Sequence, residues 1–259
     1  MKKNTLILGL ALMLLVPQIS QAQNTTAAPV VDSLAIREKK LAQDKASFER
    51  IKNDWANLKR FGADNAKVGL PAANEKRVVF MGNSITEGWG KKSPEFFTGK
   101  PYVNRGISGQ TTPQMLIRFR PDVINLKAKV VVILAGTNDI AGNTGPSTVE
   151  MIEDNLASMA DIAKANNVKV ILCSILPAFD YPWKRGLKPY EKILQVNTWI
   201  KGFAEKNGFI YLDLYSPMVD ERPGMKAEYS SDGVHPNKAG YSVMEPLVEK
   251  AIAKALSSK

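Results

Sequence analysis

The chain contains a single histidine, so any imidazole base in it must act from His235. Asp232 stands three residues earlier in the segment DGVHPN, where Gly233 and Pro236 favour a tight turn. This spacing allows the carboxylate to reach Nδ1 of the ring while Nε2 faces outward. A carboxylate placed in this way fixes the tautomer of the ring and stabilises the imidazolium. The pair therefore predicts a general base that takes up and returns one proton.

A base of this kind needs a nucleophile, and Ser84 is placed to be one. It lies in GNSITEGWG, residues 82–90, directly after an apolar run that is typical of a strand. A serine hydroxyl attacks well only when an adjacent base removes its proton. Acyl transfer also needs donors for the developing oxyanion. Three are available, namely the N–H of Ser84, a glycine N–H in GISGQTT (106–112) and the amide of Asn138 in GTND (136–139).

The segments between these motifs predict a parallel sheet covered by helices on both faces. Five short apolar runs are expected to be strands: 77–82, 101–106, 129–136, 168–176 and 209–214. Helices are expected from Ser147, with Glu150 completing a capping box, from Pro189 to Asn207, and from Asn237 to Leu256. Continuous apolar runs indicate strands buried on both faces. Ligands of such sheets bind beyond the carboxyl ends of the strands, so we expect the four motifs to meet at that edge.

Composition narrows the class of protein. The chain has 259 residues, 44% hydrophobic and 23% charged, which is typical of a globular protein and excludes collagen and multi-span membrane proteins. The formal net charge is +10, but no dense Lys/Arg tract or nucleic-acid motif occurs, so no nucleic-acid partner is expected. The one cysteine, Cys173, lies in an apolar run and is expected to be an inert buried thiol. One histidine excludes a His-rich zinc site, and no metal site is expected.

In this order, the four motifs resemble the blocks of the GDSL-type esterases, also called SGNH hydrolases. The resemblance covers about residues 77–245. It implies an α/β fold, a three-layer α/β/α sandwich with a five-stranded parallel sheet that is flavodoxin-like, and no cofactor or metal. The family has an aspartate at the position of Asn83, before the serine. That aspartate is not the acid of the catalytic triad, so the resemblance still implies the family's mechanism.

The resemblance also implies a role for each matching residue. Ser84 is the nucleophile, His235 is the general base and acid, and Asp232 orients the histidine. The oxyanion hole is formed by the N–H groups of Ser84 and Gly109 and by the side-chain amide of Asn138. The first glycine of GISGQTT is the weaker alternative to Gly109.

These features predict a serine esterase that removes short acyl groups such as acetyl, with carbohydrate esters as the first choice of substrate. Four side chains in or near the motifs are expected to line the substrate pocket: Trp89, Arg105, Tyr181 and Trp183. Two alternatives stay open. One is a lipid-directed acylhydrolase of the lysophospholipase or platelet-activating-factor acetylhydrolase type, and the other is a non-catalytic glycan-binding or scaffolding protein.

The first 76 residues are expected to lie outside the hydrolase domain, which is predicted to span 77–259. Residues 1–22 combine a basic start, an apolar run and small residues before a cleavage point, which indicates a secretory signal. The protein is therefore expected to be periplasmic or secreted, without stable membrane insertion. Residues 23–76 are expected to contain a leader, an amphipathic helix over 31–60 and a linker.

The helix predicted over 31–60 carries a narrow apolar stripe. Leu34, Leu41, Phe48 and Trp55 fall seven residues apart, a spacing typical of coiled coils. The stripe could dock on the hydrolase domain or pair with a second copy of the chain. The second possibility predicts a homodimer formed through this helix.

Overall fold

A computed structural model of the chain describes residues 30–257. Its centre is a five-stranded parallel sheet with the strand order β2-β1-β3-β4-β5. The strands are β1 (Val78–Gly82), β2 (Tyr102–Gly106), β3 (Val130–Leu134), β4 (Lys169–Cys173) and β5 (Ile210–Leu212). Each lies inside one of the five predicted apolar runs. The predicted α/β class and parallel sheet are therefore confirmed.

Eight α-helices connect and flank these strands in the described part of the chain. They are α1 (Val30–Asn53), α2 (Gly62–Val68), α3 (Ser84–Lys92), α4 (Thr112–Phe119), α5 (Thr137–Ile140), α6 (Val149–Ala165), α7 (Tyr190–Asn207) and α8 (Lys238–Ser257). Helices α3, α4 and α5 follow β1, β2 and β3 within a few residues. The three motifs that contain them therefore lie at the carboxyl edge of the sheet.

Alternate strand residues face two separate cores, because successive side chains of a strand point to opposite faces of the sheet. Val79 and Met81 of β1 pack with buried residues of α4, α6 and α7. Val78 and Phe80 of the same strand pack with buried residues of α3 and α8. The result is three layers, with the sheet between two layers of helices. Cys173 at the end of β4 is buried in the second core, and burial raises the pKa of its thiol.

The start of α6 differs by one residue from the predicted capping box. Thr148, not Ser147, is the N-cap, and its hydroxyl accepts a hydrogen bond from the backbone N–H of Met151 at 3.2 Å. Both hydroxyl residues can cap a helix, so the sequence alone did not separate them. Helix α7 ends at Asn207, as predicted, with Gly208 in the left-handed region at φ 72°.

The chain divides into two units, residues 1–47 and 48–259. The predicted secretory signal lies outside the described residues. The stripe residues Leu34 and Leu41 in the first unit and Phe48 in the second are exposed. Docking and dimerisation of this stripe both stay predictions. Within residues 30–257, no helix combines the length and hydropathy needed to cross a membrane.

The helix predicted over 31–60 ends earlier, at Asn53. The carboxylate of Asp54 accepts hydrogen bonds from the backbone N–H groups of Leu58 and Lys59 at 2.8 and 3.0 Å. Asn57 adopts a left-handed conformation with φ 56°, so the chain turns here instead of continuing the helix. A short helix, α2, then occupies part of the predicted linker.

Candidate active site

Ser84 is the first residue of α3, and only Asn83 separates it from Gly82, the last residue of β1. The turn between them is tight. A Cβ built on Gly82 would lie 1.9 Å from Oγ1 of Thr86, so only glycine fits there. The buried side chain of Asn83 caps α3, with Oδ1 accepting from the N–H of Ile85 at 3.4 Å. An amide oxygen can cap a helix as a carboxylate does, which accounts for asparagine at this position.

The structure brings Ser84, His235 and Asp232 together in one line of hydrogen bonds. Oγ of Ser84 lies 2.9 Å from Nε2 of His235, although 151 positions separate the two residues in the chain. Nδ1 of the same ring lies 2.7 Å from Oδ2 of Asp232. The side chains of His235 and Asp232 are 29% and 37% exposed, so the line is open to solvent from one side.

The backbone of the DGVHPN turn holds the carboxylate of Asp232 in its charged form. Oδ1 accepts hydrogen bonds from the N–H groups of Val234 and His235 at 2.9 and 2.8 Å. Partial burial opposes ionisation, but these bonds and the His235 side chain outweigh it and lower the pKa of Asp232 to about 2. The carboxylate is therefore ionised at any pH near neutrality.

Ser230 is a residue of this turn that the sequence analysis missed. Its buried hydroxyl oxygen lies 3.1 Å from Oδ1 of Asp232 and 2.9 Å from the carbonyl oxygen of His235. It also accepts a hydrogen bond from the N–H of Gly233 at 3.0 Å. The hydroxyl thus joins both ends of the turn. Serine hydroxyls can hydrogen-bond nearby backbone groups in turns, and the place of Ser230 just before DGVHPN could have indicated this role.

The segments after β2 and β3 carry two N–H donors besides the N–H of Ser84 at the start of α3. The N–H of Ser84 lies in the first turn of a helix and has no acceptor within that helix. Gly109 has φ +78°, and its N–H has no acceptor among residues 30–257. One N–H of the Asn138 amide donates to the carbonyl oxygen of Gln110 at 2.9 Å, and Oδ1 accepts from Asn143 at 3.0 Å. An amide has two N–H groups, so Asn138 keeps one for another acceptor.

Arg118 of α4 lies fully buried beneath these loops. The sequence analysis did not identify this residue either. Its guanidinium donates to the carbonyl oxygen of Gly82 at 2.9 Å, to Oε1 of Gln110 at 2.5 Å and to Asp122 at 2.9 Å. Burial lowers its pKa, and the neighbouring Asp122 opposes that effect. Arg118 therefore connects the end of β1 to the loop that carries Gly109.

Asp139, next to Asn138, is a buried carboxyl group that also joins two loops. It accepts hydrogen bonds from the N–H and the hydroxyl of Thr112 at 2.9 and 2.6 Å. Burial raises its pKa to about 6, against the opposing effect of these hydrogen bonds. Through Thr112, Asp139 fixes the start of α4 to the motif that contains Asn138.

Two of the four residues predicted to line the pocket lie in the interior instead. Trp89 is 1% exposed, because its face of α3 turns inward and its ring stacks on Phe96 and Tyr241. Arg105 is 5% exposed, and its guanidinium donates to Oδ1 of Asn65 at 2.8 Å. Neither side chain reaches a substrate, and the prediction is corrected for both.

The other two form a stacked pair beside the histidine. Tyr181 is fully buried, and its hydroxyl has no hydrogen-bond partner within the described part of the chain. Its ring stacks under Trp183 with centroids 5.0 Å apart. Trp183 is exposed, and its ring centre lies 5.9 Å from that of His235. Tyr181 is therefore a support and not a lining residue, whereas Trp183 lies beside His235 and its contact with a substrate stays a prediction.

Two cavities border loops of this site, one at Gly109 and the other at Asp232. One, of about 350 Å³, borders Gly109 and Asn143, and the other, of about 250 Å³, borders Asp232 and Arg222. A cavity of about 390 Å³ lies near the amino ends of β4 and β5, at the opposite edge of the sheet from Ser84. Among residues 30–257, no cluster of three or more His, Cys, Asp or Glu side chains is placed to hold a metal ion.

Comparisons with known proteins point to one family. Its model, the GDSL-like lipase/acylhydrolase family, matches residues 80–243. A crystal structure of a GDSL-like lipase from Bacteroides thetaiotaomicron is 50% identical in sequence, with a TM-score of 0.76, and covers 78% of this chain and 100% of that chain.

Curated relatives are more distant. The uncharacterized lipoprotein YqeF of Bacillus subtilis is 32% identical over 115 residues, 43% of this chain and 47% of that protein. The acetylxylan esterase of Xylanibacter ruminicola is 28% identical over 221 residues, 71% of this chain and 45% of that protein. The chain thus spans about half the length of these two relatives. Since the family model matches well over half of the chain, from β1 to α8, this chain belongs to the GDSL-like lipase/acylhydrolase family.

Proposed function

We propose that the protein is a carboxylic ester hydrolase in which Ser84, His235 and Asp232 act as a catalytic triad. The observation that carries the proposal is the line of two hydrogen bonds, 2.9 Å from Ser84 to His235 and 2.7 Å from His235 to Asp232. A serine hydroxyl bonded to an imidazole that a carboxylate orients is the arrangement that activates serine for acyl transfer. Membership of an acylhydrolase family supports it.

The reaction follows from this geometry. Nε2 of His235 takes the proton of Ser84 while Oγ attacks the ester carbonyl carbon. The bond to the alcohol then breaks, and the alcohol leaves with the proton from Nε2. Water gives a proton to Nε2 as it attacks the acyl-enzyme, and Ser84 regains that proton when the acid departs. Asp232 stays ionised throughout and stabilises the imidazolium in both halves.

The oxyanion of each tetrahedral intermediate is proposed to bind the N–H groups of Ser84 and Gly109 and the amide of Asn138. Two features support this assignment: the free N–H of Gly109 and the remaining N–H of Asn138. Asn143 fixes the orientation of the Asn138 amide, because an N–H of the Asn143 side chain donates to Oδ1 of Asn138. Donors positioned before the reaction stabilise the charge without reorganisation.

We expect Asn138→Ala to lower kcat for a small acetate ester by roughly 10²–10³, because one oxyanion donor is lost. KM should change little, since the donor acts mainly in the transition state. The measurement is steady-state hydrolysis of p-nitrophenyl acetate. Asn143→Ala is the matched control, since it removes a neighbouring amide that contacts only Asn138 and Gly109 and should cost less. Full activity in Asn138→Ala would place the oxyanion hole elsewhere.

The proposed substrates are short acyl esters, above all acetyl groups on carbohydrates. Trp183 lies exposed beside His235, and the cavities at Gly109 and Asp232 have volumes of only about 350 and 250 Å³. One relative is an acetylxylan esterase. We also propose that the protein is exported. The secretory pattern of residues 1–22 supports this, as does a relative that is a lipoprotein.

The acyl length is tested with p-nitrophenyl esters of two to twelve carbons, each compared by kcat/KM. We expect the highest value for acetate and a steady decline beyond about four carbons, because a long chain extends past the small cavities into water. Lysophospholipids, assayed beside acetylated xylan, provide the matched comparison of substrate classes. A maximum at eight carbons or more, or faster release from the lipid, would favour a lipid-directed acylhydrolase.

A further inference from the structure

The cavity of about 350 Å³ beside Gly109 has a wall that the family model does not cover. One side of the cavity is the loop after β2, represented by Ser108 and Gly109. The other side contains Ile51 and Trp55, which precede the matched residues 80–243. A segment before the hydrolase motifs therefore borders the loop that carries a proposed oxyanion donor.

This segment is held in place through its backbone. Nε2 of Gln114 donates to the carbonyl oxygen of Trp55 at 2.7 Å, and Nε2 of Gln110 donates to that of Ala56 at 2.7 Å. Both amides are buried, and Ala56 is 3% exposed. The indole of Trp55 takes no part in this attachment. The backbone of Trp55 is thus held before any ligand binds, and its side chain can be changed without breaking the two bonds.

The chemistry of the cavity matches an uncharged, hydroxyl-rich ligand with an apolar face. The indole of Trp55 is 37% exposed. The side chains of Asn57 and Ser108 border the same cavity and have no hydrogen-bond partner among residues 30–257. No charged side chain borders the cavity in the part of the chain that the structure describes. An aromatic face with amide and hydroxyl groups around it binds a sugar ring well, whereas an ionic headgroup finds no counter-charge.

We propose that Trp55 is a specificity-determining residue that stacks on a sugar ring of an O-acetylated oligosaccharide while its acetyl group lies at Ser84. This inference rests on the proposed function and adds a binding subsite to it. The sugar bound there is a neighbour of the acetylated one, on the Gly109 side of the nucleophile. Contacts with a remote sugar position the ester without touching the reacting atoms.

The test compares an acetylated xylotetraose with p-nitrophenyl acetate, which has no sugar to reach the cavity. In Trp55→Ala, we expect the ratio of kcat/KM for the saccharide to kcat/KM for the aryl acetate to fall about tenfold, mainly through KM. Trp55→Phe should restore most of the ratio, since it keeps an aromatic face. Leu58→Ala is the matched control, because Leu58 is exposed in the same segment and lies outside the cavity.

A binding measurement separates recognition from turnover. In a Ser84→Ala background, calorimetry with the acetylated xylotetraose should give a dissociation constant about tenfold higher when Trp55→Ala is added. Thermal melting of each variant shows whether the fold is retained, and Trp55→Leu, which keeps an apolar side chain but no aromatic face, serves if the alanine variant is unstable.

The outcomes distinguish this inference from the proposed function. If the protein hydrolyses acetylated xylotetraose and Trp55→Ala has the same ratio as Leu58→Ala, the subsite is wrong and the proposed function stands. If the protein hydrolyses p-nitrophenyl acetate but not the saccharide, the carbohydrate substrate is wrong and the subsite fails with it. If neither ester is hydrolysed, the esterase function itself is wrong.

Discussion

Replacing Ser84 with alanine is expected to remove nearly all ester hydrolysis, with a fall in kcat on the order of 10⁶. The alanine has no oxygen to form the acyl-enzyme, so His235 has no proton to remove from it. The residual rate is water attack helped by the oxyanion donors alone. Hydrolysis of p-nitrophenyl acetate measures the loss, and labelling by a fluorophosphonate probe, followed by intact-mass spectrometry, measures the nucleophile directly.

Two controls make this result specific. Ser242→Ala removes an exposed serine on α8 that bonds only to the backbone of its own helix and should keep full activity and one equivalent of label. The double variant Ser84→Ala/His235→Ala should lose no more activity than either single variant, because triad residues act as a unit. Stoichiometric labelling that persists in Ser84→Ala would identify another nucleophile.

The second large effect is expected for Asp232→Asn, which should lower kcat by roughly 10⁴. The variant keeps a side chain of the same size. It removes the negative charge beside Nδ1 of His235, and its amide can place an N–H group where an acceptor oxygen stood. The ring then loses its preferred tautomer, and the imidazolium loses the charge that stabilises it. Since the pKa of Asp232 is about 2, the wild-type protein should lose no activity through this carboxyl group between pH 4 and 8.

Asp213→Asn is the matched control for Asp232→Asn. Its carboxylate also accepts hydrogen bonds from two backbone N–H groups in a loop, those of Tyr215 and Ser216, and it has no contact with the histidine. Both variants weaken a turn, so both should lower the urea midpoint of unfolding. Only Asp232→Asn should lower kcat. Equal activity in the two variants would mean that Asp232 merely caps its turn.

The sheet was predictable because β1, β3 and β4 consist almost wholly of apolar residues, and the convergence of the motifs followed from parallel topology. The contact between Ser84 and His235 could be predicted from the sheet and the motifs together. Both the sole histidine and the nucleophile were expected at the carboxyl edge of the sheet. The inward side of a helix was harder to predict. Trp89 lies on such a side of α3, and its packing on Phe96 and Tyr241 shows that the ring is structural.

Arg118 shows what the sequence indicated and the analysis missed. It stands between Met115 and Phe119, which are buried on the same face of α4. A charged residue on an apolar helix face requires buried partners, so its position indicated a hidden polar network. Which groups those partners were could not be predicted. They come from β1, from the loop after β2 and from the turn Arg120–Ile124 that follows α4, which only the fold brings together.

The three contacts of Arg118 have a consequence for protein engineering. One guanidinium anchors the strand end that precedes the nucleophile and the loop that offers an oxyanion donor. Replacing that loop with the loop of a relative, as in loop-grafting designs, would therefore also disturb Ser84 unless the new loop contains an acceptor equivalent to Gln110. The smallest segment of this fold that can be exchanged as a unit is the loop together with α4, and not the loop by itself.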